Sequence, residues 1–266
     1  MVIVVASDQH LGYVNSNSNK FSDFLSKLST RTDVTDFVIL GDFMDMWRRD
    51  ISGLFLEQHE ILQKILDLKT KMNVYCIAGN HDFHLLKLVN HNYPLNFTKE
   101  LNLPGKGITY KFRHGWEFDT IQQEPFMELL CHNMSDEAGK IRSDFWDVFK
   151  KTLEHGVLEK LEGVFSGHAK VKNHLEEMQK PPNERSFKPT DVEKNACSSV
   201  KDGEILIFGH THRPFVNTAN NVVNSGSWIS DEVITNTYVE LDGSRIRLIQ
   251  YDSGVEITER EQCPSP

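Results

Sequence analysis

The strongest constraint on the fold of this chain is a recurrent pattern in which a short apolar run stops at a glycine or a polar residue. The runs, each with the residues that follow it, are 2–6 before Ser7-Asp8, 37–40 before Gly41-Asp42, 74–78 before Gly79-Asn80, 110–113 before His114-Gly115, and 205–208 before Gly209-His210. Short, largely β-branched apolar runs are typical of strands that are buried on both faces. Each predicted strand therefore delivers a polar group at its end.

Helical patterns separate the first three predicted strands. Two apolar stripes have helical spacing: Phe21, Phe24, Leu25 and Leu28, with Asn17 or Ser18 as the candidate N-cap, and then Leu54, Ile61, Leu62, Ile65 and Leu66. The β-α-β-α-β order predicts an α/β sheet whose strands end along one edge, where open α/β sheets place their ligands. Near the C-terminus, residues 238–241 and 246–251 flank the turn dipeptide Asp242-Gly243, which predicts a hairpin and an antiparallel portion of sheet.

The middle of the chain interrupts this rhythm with helical signals. We predict a core formed by residues 1–115 and 204–255, a helical cap inserted at 116–203, and a flexible tail at 256–266. Within the insertion, residues 170–201 contain seven Lys or Arg, five Asp or Glu and the break Pro181-Pro182, which favours a solvated connector.

Charge and cysteine usage exclude several classes of protein. The formal net charge of −9 argues against an extensive nucleic-acid-binding surface. No run of 18 apolar residues suggests a membrane span, and the first residues lack the basic start of a secretory signal. Cys76, Cys131, Cys197 and Cys263 form no C-x-x-C pair, so the pattern predicts neither a zinc knuckle nor a dense disulfide framework. A cytoplasmic protein is expected.

The polar residues at the strand ends are of the types that bind metal ions. The segments are Asp8-Gln9-His10, Gly41-Asp42-Phe43-Met44-Asp45, Gly79-Asn80-His81-Asp82, His114-Gly115 and Gly209-His210-Thr211-His212. Divalent cations take oxygen and imidazole nitrogen ligands, and one aspartate can bridge two ions because it has two oxygens. The set therefore suits a pair of metals.

These segments follow the order D-x-H, G-D-x-x-D, G-N-H-[DE], a later H, then G-H-x-H, and the sequence resembles the calcineurin-like metallophosphoesterase family. The resemblance implies a sandwich of two mixed β-sheets flanked by helices. It also implies that Asp8, His10 and His212 hold one metal, that Asn80, His114 and His210 hold the other, and that Asp42 bridges them. His168 is an alternative to His114 for the single-histidine position; we prefer His114, because it ends a predicted strand.

The resemblance also implies a reaction, the attack of a metal-bridging hydroxide on a phosphoester or diphosphate bond. His81 has no ligand role in the pattern, so we expect it to stabilise the transition state or protonate the leaving oxygen, with Asp82 orienting it. Asp45 is expected to hydrogen-bond a ligand or a backbone group without binding metal itself. Two divalent ions are expected, Mn²⁺ first, with Fe, Zn, Co or Ni as alternatives.

A narrower resemblance, carried by the G-D-x-x-D-x-W form that ends at Trp47, is to the UDP-2,3-diacylglucosamine pyrophosphohydrolase branch. The chain departs from that branch by having His81 in place of an arginine, Trp116 in place of an aspartate, and Arg48-Arg49-Asp50 in place of an acidic pair. Two guanidinium groups beside the metals predict a clamp for a diphosphate or nucleotide. Trp116 is a further candidate substrate contact.

Three classes of function follow. The first is hydrolysis of a small phosphorylated substrate, nucleotide- or lipid-linked, of which the UDP-sugar lipid pyrophosphohydrolase is the narrower form. The second is a nuclease or phosphodiesterase, because residues 7–12 resemble the opening motif of repair nucleases. The third is a non-catalytic scaffold, which the complete ligand set disfavours. A homodimer is compatible with the broad apolar arc of the cap helix.

Overall fold

The computed structural model of the chain describes residues 2–90, 93–119, 189–243 and 245–257. Within these residues the strands are β1 Val2–Ala6, β2 Val34–Leu40, β3 Asn73–Ile77, β4 Phe97–Thr98, β5 Glu100–Pro104, β6 Thr109–Arg113, β7 Glu204–Phe208, β8 Phe215–Asn217, β9 Val222–Asn224, β10 Thr237–Asp242 and β11 Arg245–Gln250. The α-helices are α1 Ser18–Leu28, α2 Ile51–Glu57, α3 His59–Leu68 and α4 Pro189–Ser199. Shorter 3-10 helices span Phe83–Asn90 and Trp116–Phe118.

The strands form two mixed sheets. The first has the order β11-β10-β1-β2-β3-β4, in which β1 to β4 are parallel and the β10–β11 hairpin adds antiparallel to β1. The second has the order β5-β6-β7-β9-β8, with β6, β7 and β9 parallel and both outer strands antiparallel. Two mixed sheets with flanking helices confirm the predicted fold class. The predicted hairpin is also confirmed, and it extends the first sheet.

The continuous apolar sequence of β1 is explained by burial on both sides of the first sheet. Val2, Val4 and Ala6 pack into the cluster formed with α1 and α3, whereas Ile3 and Val5 pack into the cluster between the two sheets. Successive residues of a strand point to opposite faces, so a strand covered on both faces cannot alternate apolar and polar residues. A third cluster lies on the second sheet, where α4 packs.

Helix α4 corrects one expectation from the sequence. It lies inside the segment predicted to be a solvated connector, yet Val192 and Ala196 are buried against Leu206 and Phe208. Two small apolar residues one helical turn apart suffice to dock a helix whose other positions are polar, so local charge composition was a poor guide. The remainder of the predicted cap and most of the predicted tail lie outside the described residues.

Two smaller differences concern α2 and the cysteines. The second apolar stripe forms two helices, because Gln58 separates α2 from α3. Cys76 is a buried free thiol, whereas Cys197 is disulfide-bonded, a pairing that the cysteine spacing did not indicate.

Among the described residues, no helix has the length and apolar character that crossing a bilayer requires.

Candidate metal centre

The predicted site residues come together where strands of both sheets end. The loops after β1, β2 and β3 bring Asp8, His10, Asp42 and Asn80 from the first sheet, and the loops after β6 and β7 bring His114, His210 and His212 from the second. All except His212 are buried, and His212 is partly buried. The edges of the two sheets therefore form one compact polar site in an apolar surrounding.

The backbone at this site is held in an unusual conformation. Seven described non-glycine residues have positive φ, and five of them are at the site: Asp8 (56°), His10 (45°), Asp42 (48°), His210 (65°) and His212 (58°). Hydrogen bonds from Asp8 N to Gly41 O (3.0 Å) and from His10 N to Asp42 O (2.8 Å) hold two of these loops together. A left-handed backbone conformation costs free energy in residues other than glycine, and such residues cluster at functional sites. The conformation therefore marks these strand ends as functional.

Two glycines allow the loops to approach closely. A Cβ at Gly41, where φ is +85°, would lie 2.3 Å from His114 Nδ1, and a Cβ at Gly79 would lie 2.1 Å from Asp42 Oδ1. Any side chain at either position would displace a candidate ligand, which explains why glycine precedes both Asp42 and Asn80.

Asp8, His10 and His212 form the first group of donors able to hold a metal ion. His212 Nε2 lies 3.2 Å from Asp8 Oδ1 and 3.2 Å from His10 Nε2. Two ring nitrogens at this distance share a single proton or point their lone pairs at one cation. The first group therefore matches three of the residues predicted for one metal.

Asp42, His114 and His210 form the second group. Asp42 Oδ2 lies 3.3 Å from His114 Nε2 and 3.6 Å from His10 Nε2, so it stands between a member of each group. Asn80 follows Gly79 in the same loop system, and its side-chain oxygen is buried. This placement gives the Asp42 carboxylate access to both groups.

Hydrogen bonds fix the orientation of three of the histidines. Nδ1 of His114 donates to the Leu40 carbonyl (2.9 Å). Nδ1 of His10 lies 3.2 Å from Asp45 Oδ2, and Nδ1 of His212 lies 3.3 Å from Glu232 Oε1. An imidazole that donates its Nδ1 proton presents the lone pair of Nε2. All three Nε2 atoms face the carboxylates of Asp8 or Asp42.

The charges at the site perturb one another strongly. Burial disfavours the charged imidazole, but Asp42 and Asp8 outweigh it and raise the pKa of His114 to about 10. In the same way, despite burial, Asp8 and Glu232 raise the pKa of His212 to about 10. Burial opposes the charged form of Asp42 too, yet His114 and His81 hold its pKa well below the usual range. The carboxylates are therefore charged at neutral pH and attract cations or protons.

The donor set fits a divalent cation. Within the described residues, Asn80 Oδ1 is buried without a hydrogen-bond partner, and the buried Asp8 Oδ1 and His114 Nε2 contact only other candidate ligands. Leaving buried polar atoms unpaired costs free energy, and a cation shared by these atoms would remove that cost. Mixed carboxylate, amide and imidazole donors suit Mn, Fe, Co, Ni or Zn.

Asp45 makes the contacts expected of it, with the candidate ligand His10 and the backbone of Arg48. It also makes the contact with His81 that was expected of Asp82. His81 Nδ1 lies 3.0 Å from Asp45 Oδ1, whereas Asp82 accepts from the backbone amides of Phe43 (2.8 Å), Met44 (3.2 Å) and Gly79 (2.6 Å). The expectation that Asp82 orients His81 is therefore wrong: backbone amides occupy both of its oxygens, and Asp45 takes its place. Burial, and then the neighbouring Asp42, raise the pKa of Asp82 to about 7.

The structure separates the three candidate substrate contacts. Arg48 NH1 lies 2.5 Å from Asp45 Oδ2 at the margin of the site, whereas the Arg49 guanidinium pairs with Glu57 of α2. The two arginines therefore do not form the predicted clamp, because each guanidinium has a different carboxylate partner. Trp116 is buried and packs edge-on against Phe83.

Two contacts had no signal in the sequence. Glu232 reaches His212 from the loop before β10, and Asp119 Oδ2 lies 3.9 Å from His210 Nε2. Neither residue belongs to a strand-end motif, so only the three-dimensional arrangement reveals them.

Curated relatives are similar to about three quarters of this chain. Among curated relatives, the UDP-2,3-diacylglucosamine hydrolase of Shewanella sp. (strain W3-18-1) is 27% identical over 209 residues, which cover 74% of this chain and 76% of the relative. The protein of the same name from Shewanella baltica (strain OS155 / ATCC BAA-1091) is 28% identical over 207 residues, covering 74% and 77%.

The solved structures to which the chain is similar include a dimetal phosphatase from Danio rerio, with a TM-score of 0.47, 12% identity and coverage of 93% of this chain and 95% of that chain. An archaeal phosphodiesterase gives a TM-score of 0.42, 16% identity and coverage of 94% and 99%.

The family described as Calcineurin-like phosphoesterase matches residues 1–214 of the sequence, a span that includes every candidate ligand from Asp8 to His212. Since this match covers well over half of the chain, the protein belongs to the calcineurin-like phosphoesterase family.

Proposed function

We propose that this protein hydrolyses a phosphoester or diphosphate bond in a small phosphorylated substrate with the help of two divalent metal ions. The observation that carries the proposal is the position of Asp42 Oδ2, 3.3 Å from His114 Nε2 and 3.6 Å from His10 Nε2. One carboxylate in reach of both donor groups is what a two-metal phosphoesterase requires. We assign Asp8, His10 and His212 to one ion, Asn80, His114 and His210 to the other, and Asp42 to both.

Bound there, the ions would lower the pKa of water and neutralise phosphoryl oxygens. The chain's own residues supply orientation. Asp45 accepts from Nδ1 of both His10 and His81, so it fixes two rings at once. The ring of Trp47 stacks on His81 at 4.1 Å between centroids. His81 Nε2, 4.0 Å from Asp42 Oδ2, then faces the site and is our candidate to contact the phosphoryl group or protonate the leaving oxygen.

The substrate that we propose is a diphosphate ester joined to a nucleotide or lipid-like group. The names of the curated relatives support this choice, because both are UDP-2,3-diacylglucosamine hydrolases that resemble three quarters of this chain. At 27–28% identity these relatives support hydrolysis of a phosphoester in general.

The proposal is tested by measuring metal-dependent hydrolysis of bis-p-nitrophenyl phosphate, p-nitrophenyl phosphate, UDP-N-acetylglucosamine, UDP-2,3-diacylglucosamine and a labelled single-stranded oligonucleotide. Metal-free protein is reconstituted with Mn²⁺ first, then with Zn²⁺, Co²⁺, Ni²⁺ or Fe²⁺. We expect cleavage of at least one phosphoester with metal and none after chelation. Cleavage of the oligonucleotide alone would favour a nuclease, and no cleavage with any metal would overturn the proposal.

Metal binding is expected to release protons. In the metal-free protein the pKa values of His114 and His212 are raised to about 10, so both rings carry an extra proton at neutral pH. A cation needs the Nε2 lone pairs, so binding at about pH 7.5 should release roughly one proton from each ring, in addition to any proton that metal-bound water loses. Apparent affinity should rise with pH until the rings deprotonate unaided. Calorimetry in two buffers of different ionisation enthalpy measures the number of protons released.

The control for proton release is a histidine outside the site. His59→Gln, at an exposed position, should leave the number unchanged, whereas His114→Ala should lower it by about one. Equal proton release from His114→Ala and the unaltered protein would contradict the ligand assignment.

A further inference from the structure

We propose that Tyr13 and Arg48 form an anion-binding position beside the metal centre that selects substrates with a second phosphate next to the one being hydrolysed. This inference rests on the proposed function and names the chemical class of substrate. Tyr13 has no place in any motif of the sequence.

Arg48 is anchored to the site from one side. Both oxygens of Asp45, which is fully buried, bind this residue: Oδ2 lies 2.5 Å from the guanidinium NH1, and Oδ1 accepts from the backbone N at 3.1 Å. The same Oδ2 lies 3.2 Å from Nδ1 of His10, a candidate metal ligand. A single carboxylate therefore separates the Arg48 guanidinium from the metal centre.

Tyr13 holds the guanidinium from a second direction. The Arg48 Cζ lies over the Tyr13 ring, 4.4 Å from its centroid, which is cation–π geometry. The ring is itself fixed, because the Tyr13 hydroxyl donates to Asp231 (3.1 Å) and the Tyr13 backbone N donates to the carbonyl of His10 (2.9 Å). The ring thus lies on the loop that carries His10, and turning it away from Arg48 would break its hydroxyl bond to Asp231.

Within the described residues, one hydrogen bond occupies the Arg48 guanidinium, so its other donors are available to a ligand. Its side chain is 44% exposed although its partner Asp45 is buried, and the bond to Asp45 uses one of five guanidinium N–H groups. A planar guanidinium held in one orientation binds phosphate oxygens with two parallel hydrogen bonds. Because Arg48 adjoins the metal centre, the phosphate that it fits is the neighbour of the one at the metals, as in a diphosphate.

The adjacent arginine provides a matched control. Arg49 carries the same charge, is 34% exposed, and pairs with Glu57 of α2. Its guanidinium has no role in the proposed position, so replacing it changes the net charge without changing the proposed contact.

The test compares inhibition by UDP and by UMP of bis-p-nitrophenyl phosphate hydrolysis, with Mn²⁺ in fixed excess. The ratio of the two inhibition constants within each variant measures the contribution of the second phosphate, and metal chelation by the nucleotides affects all variants equally. For the unaltered protein we expect an inhibition constant for UDP that is roughly tenfold or more lower than the one for UMP. In Arg48→Ala we expect the two constants to be nearly equal. Arg49→Ala should keep the ratio of the unaltered protein.

Two variants of Tyr13 separate its ring from its hydroxyl. Tyr13→Leu removes the aromatic ring under the Arg48 guanidinium and should lower the UMP-to-UDP ratio of inhibition constants roughly two- to fivefold. Tyr13→Phe keeps the ring and should preserve most of that ratio. This inference would be overturned if Arg48→Ala kept the ratio of the unaltered protein, or if the unaltered protein showed no preference for UDP. In either case, hydrolysis of bis-p-nitrophenyl phosphate would still support the proposed function. Loss of that hydrolysis from the unaltered protein with every metal would overturn the proposed function instead.

Discussion

Replacing Asp42 with asparagine is expected to lower metal-dependent hydrolysis roughly a thousand-fold or more, about 4 kcal/mol of transition-state stabilisation. The amide keeps an acceptor for the His81 backbone N–H, which Asp42 Oδ1 binds at 2.8 Å, so the local backbone should survive. What disappears is the negative charge between His10 and His114. Without that charge, a carboxamide cannot bind two cations as the carboxylate would.

The measurement combines the turnover of bis-p-nitrophenyl phosphate with the metal content of the dialysed protein. We expect Asp42→Asn to retain fewer than two ions per chain and an unfolding transition close to that of the unaltered protein. Asp36→Asn is the matched control, because Asp36 lies on β2, the strand that precedes Asp42, and accepts from Asn73 (3.0 Å) and Thr35 (2.6 Å) away from the site. Asp42→Asn with full metal content and activity within tenfold would contradict the bridging assignment.

Replacing Asp82 with alanine should produce the largest loss of stability, about 3–5 kcal/mol in the free energy of unfolding. The fully buried Asp82 carboxylate accepts from three backbone amides, those of Phe43, Met44 and Gly79, and alanine would leave these donors without an acceptor. The three amides belong to the loops that carry Asp42 and Asn80. Metal affinity should therefore fall together with stability.

Urea unfolding of the metal-free protein measures the effect of Asp82→Ala on stability without a contribution from bound ions. Asp67→Ala, on an exposed position of α3, is the control and should change the free energy of unfolding by less than about 0.5 kcal/mol. If Asp82→Ala unfolded at the same urea concentration as the unaltered protein but lost activity, Asp82 would act in catalysis and the structural role would be wrong.

Much of the architecture could be predicted from the sequence, because the pattern of a buried strand and the pattern of the turn after it are both local. A strand covered on both faces must be apolar throughout, as in β1, and a chain that leaves the end of such a strand must turn, which explains the glycines and polar residues there. Parallel strands end at the same edge of a sheet, so the order of these segments along the chain already predicts that Asp8, Asp42 and Asn80 meet. The same signals and the C-terminal hairpin pattern predicted a mixed α/β sheet, whereas the sandwich of two mixed sheets was what the family resemblance implied.

Other features depend on contacts between distant residues, which no local pattern encodes. Asp45 and Asp82 each follow a strand-end motif, and only the packing of two loops decides that backbone amides occupy Asp82 and leave His81 to Asp45. Helix α4 has a charged sequence, yet Val192 and Ala196 are buried in one cluster with Phe118, which lies far earlier in the chain, and with Phe208 of the following strand.

The division between sequence and tertiary structure is clearest at Arg48 and Arg49. The sequence by itself determined that two guanidinium groups lie beside the site, because they follow the motif that ends at Trp47. Only the tertiary structure assigned one to Asp45 and Tyr13 and the other to Glu57. Neighbouring side chains leave the backbone in different directions, and each forms the ion pair that its surroundings offer. The sequence therefore determined that the strand-end groups reach the site, whereas tertiary packing decided which partners hold them and added Tyr13, Glu232 and Asp119.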